Sequence, residues 1–491
     1  MSLKDLTVNG IIWKAVGNVS TLVVEFIIGI ILARLLSPNE FGLIGTISIL
    51  IVISEVFVNS GFSQAIIRKQ NCSQKDYSTT FYFNLIVSIV FYVLLLIIAK
   101  PVSHFFKTPE LEPLIKVLGI GLVISAFTLI QHAIITKNVN FKLYTKISFI
   151  AAIFSGIIAV IMAFLGFGVW SLVIKTLLSK IISSILLWTW SKWRPIIVFS
   201  KQSFNELFGF GSKLLLSGVI GTILNNLNNI AIAKFFSTQT LGFYSRANQF
   251  EKLFSENITS VVSSVSYPVL STLQNDTILM KKVYREIYTT TFFIISLCMV
   301  GIAVIAKSLI ITLIGEEWLP SVELLQLLCV VGVITPLNSM NINLLNVVGR
   351  SDLYFKLQLY VQLLFVPNLL LGYFFGVKAL IIGAIFITLT GFFIFNIYTK
   401  KYINYSIKEQ LIDNFPSSLL ALVTGLFVFL LGYFIKLQHP LILIIQIISG
   451  SLFVVLCGEL FKIKVYYSVK KITFLQIKRL IKVFHIKQNF Y

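Results

Sequence analysis

The chain has 491 residues, of which 57% are hydrophobic and only 12% charged, and its mean hydropathy is +0.91. Soluble domains carry about 25% charged residues, and no soluble core accommodates so many apolar side chains. An aromatic content of 14% excludes disorder. The net charge of +21 would suggest nucleic acid in a soluble protein; in a membrane protein the loops that carry it decide its meaning.

Fourteen apolar segments approach the ~20 residues a helix needs to cross a bilayer. In chain order they cover 10–33, 41–62, 78–99, 114–136, 145–166, 168–190, 207–233, 241–270, 287–314, 322–347, 355–376, 378–399, 415–435 and 439–461. Short hinges such as Gly166-Phe167-Gly168 and Gly376-Val377-Lys378 join several of them. Runs such as Val90–Ala99 and Leu441–Gly450 do not alternate polar and apolar residues, which excludes barrel strands. The fold class expected is therefore all-α, polytopic and membrane-embedded. No cleavable leader is expected, because no small-residue cleavage site precedes the first span. With even-numbered connections and both tails taken as one side, 27 loop lysines and arginines lie there and seven on the other. That side is read as cytoplasmic, with both termini. Topology thus accounts for most of the charge, and nucleic acid is not expected as a partner.

The chain repeats at a spacing of about 200 residues. Ala33-Arg34-Leu35-Leu36-Ser37 followed by Phe41-Gly42 matches Ala233-Lys234-Phe235-Phe236-Ser237 followed by Leu241-Gly242. Leu143-Tyr144 and Lys146 match Leu353-Tyr354 and Lys356. Six helices per repeat preserve orientation, so the expectation is two parallel six-helix lobes related by an axis along the membrane normal. The divisions expected are an N-lobe over 1–192, a cytoplasmic linker helix over 193–209, a C-lobe over 210–402, two extra helices over 403–461 and a basic tail over 462–491. Ser203-x-x-Glu206 reads as the capping signal of the linker helix. The tail mixes Lys and Arg with Ile, Leu and Phe, either as an amphipathic helix on anionic lipid or as a partly ordered segment.

Polar residues inside the spans carry the chemistry. Lys14, Asn18, Thr21 and Glu25 share one face of the first span, and Ser48, Glu55 and Asn59 one side of the second. The sixth places Ser171, Lys175, Ser179 and Ser183 at i+4 steps beside Lys180. Asn225 and Asn228 lie in the seventh span, and Arg246, Glu251, Lys252 and Glu256 in the eighth. A charge at mid-bilayer costs roughly 2.5–3.5 kcal/mol, so these groups must pair with one another or line water. Buried ion pairs and a hydrated cavity both satisfy that requirement. The cavity is favoured by the matching depth of polar residues in the two halves. Lys14, Lys175, Lys180, Arg246 and Lys252, with Asn225 and Asn228, then suit an anionic substrate such as a phosphate or pyrophosphate. Glu25, Glu55 and Glu256 are candidates for binding a coupling cation. The four cysteines and four histidines are scattered, and no HExxH, GxSxG, P-loop or paired-carboxylate signature occurs. No enzyme, catalytic residue, cofactor or metal site is therefore expected.

Several motifs carry a resemblance. They are Ala33-Arg34-Leu35-Leu36-Ser37-Pro38 with Phe41-Gly42, then Gly61-Phe62-Ser63-Gln64-Ala65-Ile66-Ile67-Arg68, then Gly166-Phe167-Gly168-Val169-Trp170-Ser171, and Trp193-Arg194-Pro195. In the second half they are Leu241-Gly242-Phe243-Tyr244, Tyr267-Pro268, Gly315-Glu316-Glu317-Trp318 and Gly349-Arg350. On these the chain resembles the Wzx-like bacterial polysaccharide flippases, of the multidrug/oligosaccharidyl-lipid/polysaccharide exporter superfamily. The resemblance implies a two-lobed helical transporter in the inner membrane. It would move undecaprenyl-pyrophosphate-linked sugar repeat units to the periplasmic leaflet by alternating access. Membrane lipids, a polysaccharide polymerase and glycosyltransferases are the partners it implies. Members often place a carboxylate in the seventh span where this chain has Asn228, so that coupling here would fall to Glu25 or Glu55. A multidrug exporter of the same fold and a membrane polymerase or ligase are the alternatives.

Overall fold

The computed structural model describes residues 3–471, and among them there are helices but no strands. In chain order the helices are α1 (Leu3–Leu35), α2 (Pro38–Asn59), α3 (Phe62–Arg68), α4 (Gln74–Phe105), α5 (Leu111–Lys137) and α6 (Phe141–Phe164). They continue with α7 (Val169–Trp190), α8 (Lys201–Asn225), α9 (Leu227–Phe235), α10 (Thr238–Ser271), α11 (Thr277–Ile314) and α12 (Ser321–Val347). The last are α13 (Ser351–Leu363), α14 (Phe365–Phe375), α15 (Val377–Ile403), α16 (Ile407–Phe434) and α17 (His439–Leu460). Thirteen helical segments among the described residues are long and apolar enough to span a membrane, α13 and α14 counting as one. The fourteenth expected span is α10, which has the length but carries Arg246, Glu251, Lys252 and Glu256.

Local chemistry explains where these helices start and break. Ser73 and Asp76 close a reciprocal capping box on α4, with Ser73 N donating to Asp76 Oδ2 at 2.8 Å and Asp76 N to Ser73 Oγ at 3.2 Å. Ser406 and Glu409 repeat it on α16. The expected hinge between α6 and α7 is a tight turn in which Gly166 and Gly168 take φ of +82° and +55°, accessible at little cost only to glycine. The seventh span breaks at Asn226, whose side chain donates to the Thr222 carbonyl at 2.9 Å and competes with the helix ladder. The eleventh breaks at Leu364, where Pro367 withdraws one backbone donor.

The chain folds as two compact units, Met1–Ser245 and Arg246–Tyr491. In the first, α1 packs on α6, α4 on α5, and α7 on both α5 and α6, while α2 contacts α4, α5, α7 and α8. Its core includes Ile47, Leu114, Ile115, Leu122 and Val173, all fully buried. In the second, α11 packs on α12, α16 and α17, and α12 on α15, around Tyr284, Tyr288, Met340, Leu344 and Tyr405.

Two details differ from the divisions expected. The boundary lies at Ser245 rather than in 193–209, because α8 and α9 pack on the first-unit helices. At one such contact a Cβ on Gly61 would lie 2.4 Å from the Gly211 carbonyl oxygen. The linker helix over 193–209 is also corrected. Residues 191–200 are irregular, with a bend at 197, and the helix begins at Lys201 as the first turns of α8. Side chains of α4 supply partners that hold this stretch. Ile196 N donates to Ser78 Oγ and Ser200 N to Thr79 Oγ1, each at 3.0 Å. The helix cap is Ser200, not Ser203, and Glu206 binds Lys69 at 2.9 Å instead. Of the tail expected over 462–491, residues 464–471 are helical and 472–491 lie outside the described residues.

Candidate functional site

The first unit brings α2, α5 and α7 together around one charged pair. Lys180 Nζ lies 2.5 Å from Glu55 Oε1 and also donates to the Gly121 carbonyl at 3.3 Å. Gly121 leaves room for this, since a Cβ there would sit 3.3 Å from both Lys180 Cδ and Nζ. Beside the pair is a cavity of about 190 Å³ lined by Ser125, Thr128 and His132 of α5 and Ser179, Lys180 and Ser183 of α7. Ser125 and Thr128 spend their protons on carbonyls of their own helix, at 2.8 Å each, which leaves oxygen lone pairs as acceptors. His132 is half-buried and stacks edge-on against Tyr144 at 5.4 Å. Cavities that enclose whole ligands run to ~300–1,000 Å³, so this one suits a few waters, or a single oxyanion met by the donors Lys180, Ser179 and Ser183, rather than a sugar unit.

This geometry revises the sequence reading in three ways. Lys180 and Glu55, assigned to substrate and to coupling, form one ion pair. Ser171 leaves the serine face, being fully buried. His132 joins the cavity; its signal was the i, i+3, i+7 spacing of Ser125, Thr128 and His132.

The other first-unit candidates are not among the residues that line this cavity. Lys175 is half-buried on α7. Lys14 is exposed, with its ammonium 5.4 Å from the Phe141 ring, and Glu25 is exposed on α1 without an ion-pair partner among the described residues. Asn225 is exposed at the end of α8. Asn228 is the second residue of α9, with its Oδ1 buried and lacking a hydrogen-bond donor among the described residues. Discontinuous membrane helices of this kind often flank transporter sites, because they present polar backbone to a cavity.

In the second unit Arg246 is not a cavity-lining cation. It is 8% exposed, lies over the Trp318 ring at 5.9 Å and donates to Gln249. Lys252 and Glu256 pair with each other at 3.1 Å on an exposed face of α10. The carboxylate that does penetrate the helix packing is Glu251, 5% exposed, against α12. There Gly332 makes room for it: a Cβ would lie 2.5 Å from Glu251 Oε1.

A family model described as polysaccharide biosynthesis protein matches residues 31–323. The chain is 24% identical over 380 residues to the lipopolysaccharide biosynthesis protein WzxC of Escherichia coli, covering 76% of each. It is 23% identical over 356 residues to the teichuronic acid biosynthesis protein TuaB of Bacillus subtilis, covering 72% of this chain and 74% of that one. It is 24% identical over 344 residues to the succinoglycan biosynthesis transport protein ExoT of Rhizobium meliloti, covering 70% and 69%. Among solved structures, the lipid II flippase MurJ in an inward closed conformation matches with a TM-score of 0.75 at 16% identity, over 92% of this chain and 98% of that one. An inward-facing MATE multidrug transporter matches with a TM-score of 0.57 at 18% identity, over 79% and 96%. These two likenesses concern the fold. With the family model spanning more than half of its length, this multi-pass membrane protein belongs to the polysaccharide biosynthesis protein family.

Proposed function

We propose that the chain is a flippase that carries undecaprenyl-pyrophosphate-linked oligosaccharide repeat units from the cytoplasmic to the periplasmic leaflet of the inner membrane, for surface polysaccharide synthesis. The observation that carries this reading is the Lys180–Glu55 pair beside a hydroxyl-lined cavity inside the membrane-spanning helices. In the apo state Glu55 neutralises Lys180. A pyrophosphate oxygen arriving at the cavity takes over the ammonium through a charge-assisted hydrogen bond, and releases Glu55 to hold a cation. The exchange gives alternating access a chemical trigger: substrate and cation bind opposite members of one pair, so each frees the group that the other needs. Lys14, Lys175 and, in the second unit, Lys252 are further candidate cations for the substrate, Asn225 and Asn228 candidate neutral contacts, and Glu25 and Glu256 candidate cation sites, each taken within its own unit. Both termini face the cytoplasm, where glycosyltransferases deliver the substrate; a polymerase receives it outside.

The test is surface polysaccharide in a flippase-deleted strain complemented with this chain and its variants. Restoration by the wild type, with lipid-linked repeat units accumulating on the cytoplasmic leaflet in its absence, is the expected result. Wild-type polysaccharide from a stably inserted Lys175→Ala/Lys180→Ala variant would overturn the cationic mechanism.

A further inference from the structure

The second unit holds a larger groove, about 900 Å³, at the end of the bundle where α11 and α16 begin and α17 stops. Its walls are apolar, with Pro416, Leu419, Leu420, Val423, Cys457 and Phe461 among the lining side chains. Its mouth is basic. Lys282, Arg285, Lys462 and Lys464 face two carboxylates, Glu286 and Asp413, which leaves a net charge of +2. Arg285 and Asp413 satisfy each other, with Nε donating to Oδ2 at 2.5 Å. The three lysines have no ion-pair partner among the described residues. From Ile412 to Val423 the wall follows α16 over twelve residues, about 16 Å at helical rise, which is about half of the ~30 Å hydrocarbon core.

We propose that this groove holds one anionic phospholipid of the surrounding leaflet, phosphate at the three lysines and an acyl chain along Leu419 and Val423. The charge at the mouth, the apolar walls and the one-leaflet depth each match that occupant. The positive-inside reading puts the mouth on the cytoplasmic side, where anionic headgroups attract basic residues. The site uses none of the residues proposed for transport.

The experiment is native mass spectrometry of the full chain in detergent, titrated with phosphatidylglycerol or with phosphatidylcholine of the same acyl chains. The wild type should bind phosphatidylglycerol at least tenfold more tightly. Each surface lysine is worth roughly fivefold in affinity for an anionic lipid. The Lys282→Gln/Lys462→Gln/Lys464→Gln variant should therefore lose on the order of a hundredfold for phosphatidylglycerol and nothing for phosphatidylcholine. The corresponding triple arginine variant should keep the preference. Leu419→Trp, which fills the wall while leaving the lysines intact, should weaken both lipids. Equal binding of the two lipids by the wild type, or undiminished phosphatidylglycerol binding by the glutamine variant, overturns the proposal. So does binding of neither lipid, which would leave the groove to another occupant.

Discussion

Removing Lys180 tests whether the charged pair holds the first unit together as well as serving transport. In Lys180→Gln the Glu55 carboxylate keeps its place between helices without its ammonium. A fully buried pair broken in this way costs about 3–5 kcal/mol, whereas an exposed pair is worth about 0–1. The side chains are 23% and 38% exposed, so a loss of ~1–3 kcal/mol is expected. Glu55→Gln should cost less, because the Gly121 carbonyl still accepts from Lys180 at 3.3 Å. The double variant Glu55→Gln/Lys180→Gln leaves no stranded charge and should be more stable than the sum of the singles by ~1–2 kcal/mol. At about 2–4 °C per kcal/mol for a unit of this size, Lys180→Gln should melt roughly 2–12 °C below the wild type, with the double variant recovering part of the gap. The assay is thermal melting of the purified protein in one detergent, paired with polysaccharide export in cells. Export should stay low in the double variant even as stability returns, because the cavity has then lost its cation. Strict additivity of the two single effects would refute the coupling, and full export from the double variant would refute the exchange mechanism.

Four other outcomes follow from the same structure. The repeat-related glycines Gly42 and Gly242 meet reciprocally: a Cβ on Gly42 would lie 1.7 Å from the Thr238 carbonyl oxygen, and one on Gly242 1.8 Å from that of Pro38. Gly42→Val should then cost ~1–3 kcal/mol by overpacking, read as a lower melting temperature, while Gly221→Ala, with open space around it, should not. Cysteines at Ser179 and Ser183 should react with a small water-soluble thiol reagent, and one at the buried Ser171 should stay protected; the reverse order would remove the cavity from the argument. Reporter fusions at Lys75, Lys142, Lys281 and Lys401 should show cytoplasm, and those at Lys107, Glu316 and Lys436 periplasm. Burial opposes the charge on Lys69, but hydrogen bonds to Glu206 and Asp76 outweigh it and raise its pKa above the ordinary 10.5. Its stabilisation is fully present below the unfolded lysine value and is lost as pH rises through the raised folded one. The melting gap between wild type and Lys69→Gln should therefore be constant near neutrality and close in strong alkali.

Local signals account for most of the architecture. The apolar run lengths, the glycine hinges at Gly166 and Gly376 and the Ser73 and Ser406 helix starts depend on residues within a few positions of each other. The serine row of α7 was likewise legible, since a 3.6-residue period places Ser179 and Ser183 on one face whatever packs against it. Periodicity does not say which faces meet, or how deep a side chain lies. Lys180 and Glu55 are 125 positions apart and become one ion pair only because α2 and α7 pack together in one unit. Ser171 shares the serine row yet is fully buried, and Arg246 looked like a cavity cation until its burial against Trp318. The first part of the helix expected over 193–209 is absent for a similar reason: the hydroxyls of Ser78 and Thr79 on a distant helix accept from Ile196 N and Ser200 N, so that irregular backbone finds its partners outside a helix. A many-span, all-helical membrane protein with polar faces is thus legible from residue order, because backbone hydrogen bonding in lipid leaves little choice of local form. Which charges neutralise each other and which remain for a ligand emerges from the packing, because that balance depends on contacts between helices far apart in the chain.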